Sequence, residues 1–272
     1  MPMLSGFAKR LLERTVARRG YQLVPARQAD PRKVPADLGD DAKRLFEQVR
    51  DYTMTTPERV ASLQDAVRYV VSAGIPGAMV ECGVWRGGSM MAVAHTLRAM
   101  GSEDRDLYLY DTFSGMPSPE ARDVDLLYGV SAAERRARHQ EKLGSDPIPT
   151  TLQLLPLEDV RRLMLDTGYP AERLHFVAGL VEETIPREAP EAIAVLRLDT
   201  DYYSSTRHEF QHLYPRVSDG GVVIIDDYGR WKGSREATDE YLAEHGLHVL
   251  LHRIDAASRM IVVRRPPGPR AF

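Results

Sequence analysis

From residue 77 onward, short apolar runs alternate with longer segments of helical character. The runs are GAMVEC, DLYLYD, RLHFVAG, AIAVLRLD and GGVVIIDD. Their length and their Val, Ile and Leu content are typical of strands that are buried on both faces. A last pair of runs, in HVLLHRIDAASRMIVVRR, surrounds a short turn at residues 255–258 and predicts an antiparallel hairpin at the sheet edge. The pattern therefore predicts an α/β fold with a doubly wound, mostly parallel sheet and helices on both faces.

Composition and charge exclude several kinds of function. The 272 residues suffice for one sizeable core, and a net charge of −3 gives no electrostatic basis for a nucleic-acid partner. Cys82 is the only cysteine, so neither an internal disulfide nor a thiolate zinc cluster can form. No apolar run approaches the roughly 20 residues that span a bilayer, so we expect no membrane partner. We expect a reducing, cytoplasmic location.

The chain divides into an N-terminal extension and one main domain. Residues 1–39 predict a basic amphipathic helix and a proline-containing linker, and residues 40–272 predict the main domain. Such a helix could touch a membrane surface, but we interpret it as packing on its own domain or on a second subunit. Residues 112–150 are rich in charge, Pro and Gly and interrupt the strand–helix alternation. We predict that they form a lid.

Two of the apolar runs end on carboxylates. Asp199 closes AIAVLRLD, and the pair Asp226 and Asp227 closes GGVVIIDD. Because the carboxyl ends of parallel strands meet at one edge of a sheet, we expect the three side chains to lie close together. They would repel one another unless a cation lay between them. A set of oxygen ligands alone suits Mg²⁺ better than Zn²⁺.

A glycine loop follows the first apolar run, in ECGVWRGGS. Its E-x-G-x-x-x-G pattern begins at Glu81 and Gly83 and differs from the G-x-G-x-x-G loop that holds a dinucleotide pyrophosphate. An acid in place of the first glycine suits a ligand with a positive amine. Asp111 ends the next run, where a carboxylate can accept hydrogen bonds from ribose hydroxyls. The pair suits S-adenosylmethionine, although both acids could instead only cap helices.

Five stretches of the chain together resemble one known family. They are YTMTTPERV, MVECGVWRGGSM, YDTFSGMP, LRLDTDYYSSTRHEF and LYPRVSDGGVVIIDDYGRWKG, in collinear order over about residues 45–265. This set resembles the macrocin O-methyltransferase family, which methylates sugar hydroxyls of macrolide, aminocoumarin and related natural products. The resemblance implies a Rossmann-like class I methyltransferase with a seven-stranded sheet. It also implies that the cofactors are S-adenosylmethionine and a divalent cation, usually Mg²⁺.

Site residues follow from the resemblance, position by position. Asp199, Asp226 and Asp227 match the metal ligands of the family, and Asp199 also matches the proposed general base. The positions that match the cofactor site are Thr55, Glu81, Gly83, Ser89, Asp111 and Ser114. A small-molecule glycoside is the implied substrate, and a homo-oligomer is implied because N-terminal helices commonly form an interface in the family. Sugar-contacting residues cannot be transferred, so the sugar and the hydroxyl stay open.

Three other functions are compatible with parts of the pattern. A catechol-type O-methyltransferase would use the same cation on an aromatic diol. A nicotinamide-dependent oxidoreductase is disfavoured by the departure from G-x-G-x-x-G and by the missing Tyr/Lys catalytic signature. A non-catalytic scaffold is disfavoured because all three aspartates at the metal positions are present.

Several remaining residues are interpreted as structural. Asp201 is expected to cap the helix that follows it, with support of the neighbouring carboxylates as the alternative. His208 and His212 have the i, i+4 spacing of some zinc sites but lack a third ligand, so we expect a structural or surface role. Trp231 either packs against the domain or shapes the substrate entrance. Core packing is expected for Tyr108, Tyr110 and Cys82.

Overall fold

The computed structural model describes residues 15–18, 32–143 and 154–265. Most of the predicted N-terminal helix and linker therefore lies outside the described residues. The strands are β1 Ala78–Cys82, β2 Leu107–Asp111, β3 Val124–Asp125, β4 Val130–Ser131, β5 Leu174–Ala178, β6 Ile193–Leu198, β7 Val217–Ile225, β8 His252–Arg253 and β9 Arg259–Val262. All but β3 and β4 form one seven-stranded sheet in the order β5-β2-β1-β6-β7-β9-β8.

The sheet is parallel from β5 to β7 and antiparallel from β7 to β8. Both the mostly parallel sheet and the C-terminal hairpin are thus confirmed. The hairpin is shorter than predicted, because only His252 and Arg253 of the first run pair with β9. Ser258 N–H and Ala257 N–H donate to Asp255 Oδ1 at 2.8 and 2.9 Å, which closes the turn.

Helices cover both faces of the sheet, as predicted. They are α1 Asp40–Val49, α2 Pro57–Ser72, α3 Gly88–Ala99, α4 Ala132–Leu143, α5 Leu157–Asp166, α6 Val181–Thr184, α7 Tyr203–His212 and α8 Lys232–Glu244. One core joins α1, α2, α3 and α5 to one face, and a second core joins α6, α7 and α8 to the other. Within the described ranges, the helices are all too short or too polar to cross a membrane.

The first turn of α2 is set by its own sequence. Thr56 precedes the helix, and its hydroxyl accepts a hydrogen bond from Arg59 N–H at 3.3 Å. Pro57 occupies the first helical position, where its missing N–H leaves no backbone donor unsatisfied. This start matters for function because it brings Arg59 to the carboxyl edge of the sheet, above β7.

The register of the central strands places several polar side chains on one face. Glu81 on β1 is opposite Arg197 on β6, and Arg197 is opposite Ile224 on β7. Because side chains alternate along a strand, positions 199 and 226 continue the same face just beyond the strand ends. Gly83 allows this close approach. It has φ +88°, and a Cβ there would lie 2.0 Å from the carbonyl oxygen of Asp199.

The segment predicted to be a lid, residues 112–150, contains ordered structure over residues 112–143; residues 144–150 lie outside the described part. It forms the β3–β4 ribbon and α4. Asp123 is fully buried, and its Oδ1 accepts a hydrogen bond from Tyr203 N–H at 2.9 Å, at the start of α7. The ribbon also bridges to Trp231, which precedes α8. A role as a lid stays a prediction.

Candidate active site

The three aspartates predicted as metal ligands come together at the carboxyl edge of the sheet. One carboxylate oxygen from each of Asp199, Asp226 and Asp227 lies within 4.8 Å of the others. The parallel pairing of β6 and β7 causes this, since both strands end at the same height. The arrangement offers oxygen ligands from adjacent strand ends to a single ion.

Two arginines that the sequence analysis missed lie against these carboxylates. Arg197 Nη2 donates to Asp226 Oδ1 at 2.7 Å, and its Nη1 donates to Asp199 Oδ2 at 2.7 Å and to Glu81 Oε1. Arg59 Nη1 donates to Asp226 Oδ2. We call Glu81, Arg197 and the three aspartates the strand-end cluster. A signal for Arg197 existed, because it interrupts an otherwise apolar buried strand.

Negative charge exceeds positive charge in the strand-end cluster. Burial raises the pKa of Asp199 well above its usual range, although Arg197 acts in the opposite direction. Burial and the neighbouring Asp201 and Asp226 likewise raise the pKa of Asp227. Buried carboxylates are costly unless an opposite charge compensates them. Their oxygen-only donor set and their excess charge therefore fit a hard divalent cation.

Asp201 supports Asp227 and does not cap α7. Its backbone φ is +68°, and its N–H donates to Asp227 Oδ2 at 3.2 Å. Burial, and after it the charge of Asp199, raises the pKa of Asp201 to about 7. The capping prediction was wrong, because Tyr202 is the N-cap residue and Asp123 accepts from the first N–H of the helix. Asp123 lies 80 positions before Tyr203 in the chain, so the sequence around the helix does not reveal this contact.

Glu81 and Thr55, which the sequence analysis predicts to lie in the cofactor site, each carry an unsatisfied buried atom. Glu81 Oε2 and Thr55 Oγ1 have no hydrogen-bond partner of normal geometry in the described part of the chain. Burial raises the pKa of Glu81 to about 7, while Arg197 and the nearby Ser89 hydroxyl oppose the increase. Buried polar atoms are normally satisfied, so these two fit a site that receives a polar ligand.

Asp111 connects the two loops that follow β1 and β2. Its Oδ2 accepts a hydrogen bond from Trp85 N–H at 2.8 Å, and its Oδ1 accepts one from Phe113 N–H at 2.8 Å. Trp85 and Phe113 both have positive φ, so each loop turns sharply at this carboxylate. Ser114 follows and is exposed. A carboxylate oxygen has two lone pairs, so these bonds leave acceptor capacity toward a ribose.

The other residues considered from sequence have structural contacts. Trp231 is 7% exposed and packs edge-on against Tyr202, with ring centroids 5.8 Å apart. His208 lies 2.9 Å from the Ile185 carbonyl oxygen through Nε2 and packs against His212. Within the core of the second face lie Cys82 and Tyr110, and Tyr108 packs at its margin.

Comparison with known proteins agrees with this geometry. The sequence profile described as Macrocin-O-methyltransferase (TylF) matches residues 6–262. A curated relative from Streptomyces olivaceus, 8-demethyl-8-(2,3-dimethoxy-alpha-L-rhamnosyl)-tetracenomycin-C 4'-O-methyltransferase, is 34% identical and covers 84% of this chain and 78% of its own. Mycinamicin III 3''-O-methyltransferase from Micromonospora griseorubida is 33% identical and covers 75% of each chain.

Solved structures give the same result. The O-methyltransferase NovP is 31% identical, with a TM-score of 0.66 over 79% of this chain and 83% of its own. The calicheamicin methyltransferase CalS11, at 19% identity and a TM-score of 0.55, shares the fold. The sheet order and topology are thus those of a Rossmann-like class I methyltransferase. The chain belongs to the macrocin O-methyltransferase family, which confirms the predicted family and O-methyltransferase activity.

Proposed function

We propose that the protein transfers the methyl group of S-adenosylmethionine to a sugar hydroxyl of a glycosylated natural product and uses Mg²⁺. The observation that carries the proposal is the convergence of Asp199, Asp226 and Asp227 beside the buried Glu81. The Streptomyces olivaceus relative, whose name specifies a rhamnosyl-tetracenomycin acceptor, supports the glycoside.

Glu81 is the proposed anchor of the methionine amine. Its unsatisfied Oε2 faces a buried environment, where a hydrogen bond from an ammonium group would be strong. Asp111 is assigned to the ribose hydroxyls. Around them we assign Thr55, Gly83, Ser89 and Ser114 to the remainder of the cofactor site. These residues would hold the sulfonium methyl in place, so that only an in-line approach of the acceptor oxygen is required.

Asp199, Asp226 and Asp227 are the proposed Mg²⁺ ligands. Bound there, the cation would lower the pKa of a sugar hydroxyl and orient it. Asp199 is the proposed proton acceptor, because its carboxylate lies among the proposed metal ligands where the hydroxyl would bind. S-adenosylmethionine would supply the methyl group: the hydroxyl oxygen would form the new C–O bond as the C–S bond breaks, the electron pair of the C–S bond would stay on sulfur, and Asp199 would take the hydroxyl proton. The products are the methyl ether and S-adenosylhomocysteine.

The test combines metal removal with a choice of acceptors. The full-length protein is treated exhaustively with EDTA and assayed on deoxysugar glycosides and on catechol, with and without added Mg²⁺. We expect activity on a glycoside, its loss after EDTA and its return with Mg²⁺. Undiminished turnover after EDTA would contradict the metal role. Faster methylation of catechol would favour the catechol-type alternative.

A titration with S-adenosylhomocysteine, with NAD⁺ as the comparison, tests the cofactor separately. Binding of S-adenosylhomocysteine alone is expected. The homo-oligomer and the cytoplasmic location stay predictions, and light scattering on the purified protein measures the first of them.

A further inference from the structure

One guanidinium group holds carboxylates from three adjacent strands. Arg197 lies on β6, and its side chain is 5% exposed. Its Nη1 donates to Glu81 on β1 and to Asp199, which follows β6, and its Nη2 donates to Asp226, which follows β7. Glu81 belongs to the proposed cofactor site, whereas the two aspartates belong to the proposed metal site. Arg197 is therefore in contact with both halves of the proposed reaction centre.

The chemistry of the guanidinium makes this contact directional. Its N–H groups lie in one plane at fixed angles, so each bound carboxylate is held in a defined orientation. The strand register places the base of the Arg197 side chain directly opposite Glu81. Because the site is buried, bulk water does not replace these hydrogen bonds at low cost. A lysine ammonium would retain the charge but cannot contact the same three groups in one plane.

Charge compensation alone does not account for the arrangement. Arg59 also brings a buried positive charge to Asp226, but its second partner is Asp255 in the β8–β9 turn, at 2.7 Å. Arg59 therefore connects the proposed metal site to the C-terminal hairpin. Arg197 connects the proposed metal site to Glu81. Of the two connections, only this one can set the distance between the methyl donor and the acceptor oxygen.

We propose that Arg197 is a positioning residue that fixes Glu81 relative to Asp199 and Asp226 and thereby aligns the methyl donor with the acceptor oxygen. The inference rests on the proposed function. A small displacement of either half would lengthen the path that the methyl group must cross. Such misplacement reduces the rate of the chemical step far more than it reduces the affinity for either ligand.

The first test is Arg197→Lys. Arg265→Lys is the matched control, since Arg265 Nη2 also donates to three acceptors, the carbonyls of Tyr214, Pro215 and Val217, away from the site. We expect kcat to fall about 100-fold or more in Arg197→Lys, while the Kd for S-adenosylhomocysteine rises less than about 10-fold. The control should keep the wild-type kcat. A wild-type kcat in Arg197→Lys would overturn the inference.

The second test requires no turnover and uses Glu81→Asp, which keeps the charge but withdraws the carboxylate from Arg197. Mn²⁺ affinity is measured by electron paramagnetic resonance of the protein without cofactor. We expect it to weaken about 10-fold, as for other residues that orient metal ligands indirectly. Unchanged Mn²⁺ affinity would overturn the inference even if Arg197→Lys did not fold. Failure of the wild-type protein to bind Mn²⁺ or S-adenosylhomocysteine would instead refute the proposed function.

Discussion

Two ionic clusters built around buried carboxylates differ in charge balance within the described part of the chain. In one, which we call the Asp125 cluster, Asp125 is fully buried and accepts from Arg135 and from Arg230, the latter at 2.8 Å. Its other oxygen accepts from the backbone N–H groups of Leu127 and Tyr128 at 2.9 and 3.3 Å. One carboxylate there has two guanidinium partners. In the strand-end cluster, carboxylates outnumber guanidinium groups, and Glu81 Oε2 is unsatisfied.

The difference separates a structural ion cluster from a functional one. The Asp125 cluster joins the β3–β4 ribbon to α4 and to the loop after β7, and both oxygens of its carboxylate are satisfied. The strand-end cluster retains unfavourable charge and raised carboxyl pKa values in the folded protein. Residues that destabilise a fold are retained where they bind or react. Substitutions in the two clusters should therefore have opposite consequences for stability and activity.

The largest expected effect is on activity, in Asp199→Asn. Loss of the proposed metal ligand and proton acceptor should reduce kcat about 1,000-fold or more, equivalent to about 4 kcal/mol in the activation barrier. Binding of S-adenosylhomocysteine should be nearly unchanged. The amide removes one charge from the acid-rich strand-end cluster, so the Tm of the ligand-free protein should stay the same or increase. Scanning calorimetry and steady-state kinetics on one preparation measure both effects.

A clear decrease in the Tm of Asp199→Asn would contradict the distinction between the two clusters.

The next effect is on stability, in Asp125→Asn. The substitution leaves two guanidinium groups facing an amide, and because both arginines are partly exposed we expect a loss of about 2–3 kcal/mol in the free energy of unfolding. Urea denaturation measures it. The exposed Glu134–Arg138 pair on α4 provides the control, since Glu134→Gln should cost only a few tenths of a kcal/mol, roughly the value of such pairs. A stability equal to the wild type in Asp125→Asn would show that the cluster is not structural.

The smallest effect is a pH dependence that Glu81 produces. Burial raises its pKa from 4.5 to about 7, so between these pH values the native state binds more protons than the unfolded state. The free energy of unfolding should then fall as pH rises through this window, by about 1–3 kcal/mol for the ligand-free protein. Glu81→Gln should make that decrease smaller, and the remainder comes from Asp199, Asp201 and Asp227, whose pKa values are also raised. Denaturant titrations at pH 5 and pH 7.5 test it, and an identical pH dependence in both proteins would assign the decrease to other groups.

The sheet and the convergence of the aspartates were predictable because their signals are local. Strands such as β6 and β7 are continuous apolar runs, and each ends on an acid within the same few residues. The rule that parallel strands deliver their carboxyl ends to one edge then requires only the order of elements. The five motifs, in collinear order, then indicated the family. Only the short distances among the three aspartates depend on β6 and β7 being neighbours in the sheet.

The ion pairs were not predictable in the same way. Arg197 is separated from Glu81 by 116 positions, and Arg59 from Asp226 by 167 positions. Arg197 was visible as a charge in an apolar strand, but its partners follow from the register of β1, β6 and β7. The same applies to Asp201, for which sequence suggested a cap because acids commonly precede helices. Asp123 performs that role from a segment about which the local pattern says nothing.

Sequence by itself therefore determined the class of fold, the family and the acids at the strand ends, because periodicity and motifs act over a few residues. Only the tertiary structure decided which charges are paired. Pairing depends on strand register and on contacts between distant segments, and those determine how much buried charge is left for a cofactor or an ion to compensate. At the strand ends, Glu81 and the three aspartates share Arg197 and Arg59, which leaves negative charge uncompensated, whereas Asp125 alone has two guanidinium partners.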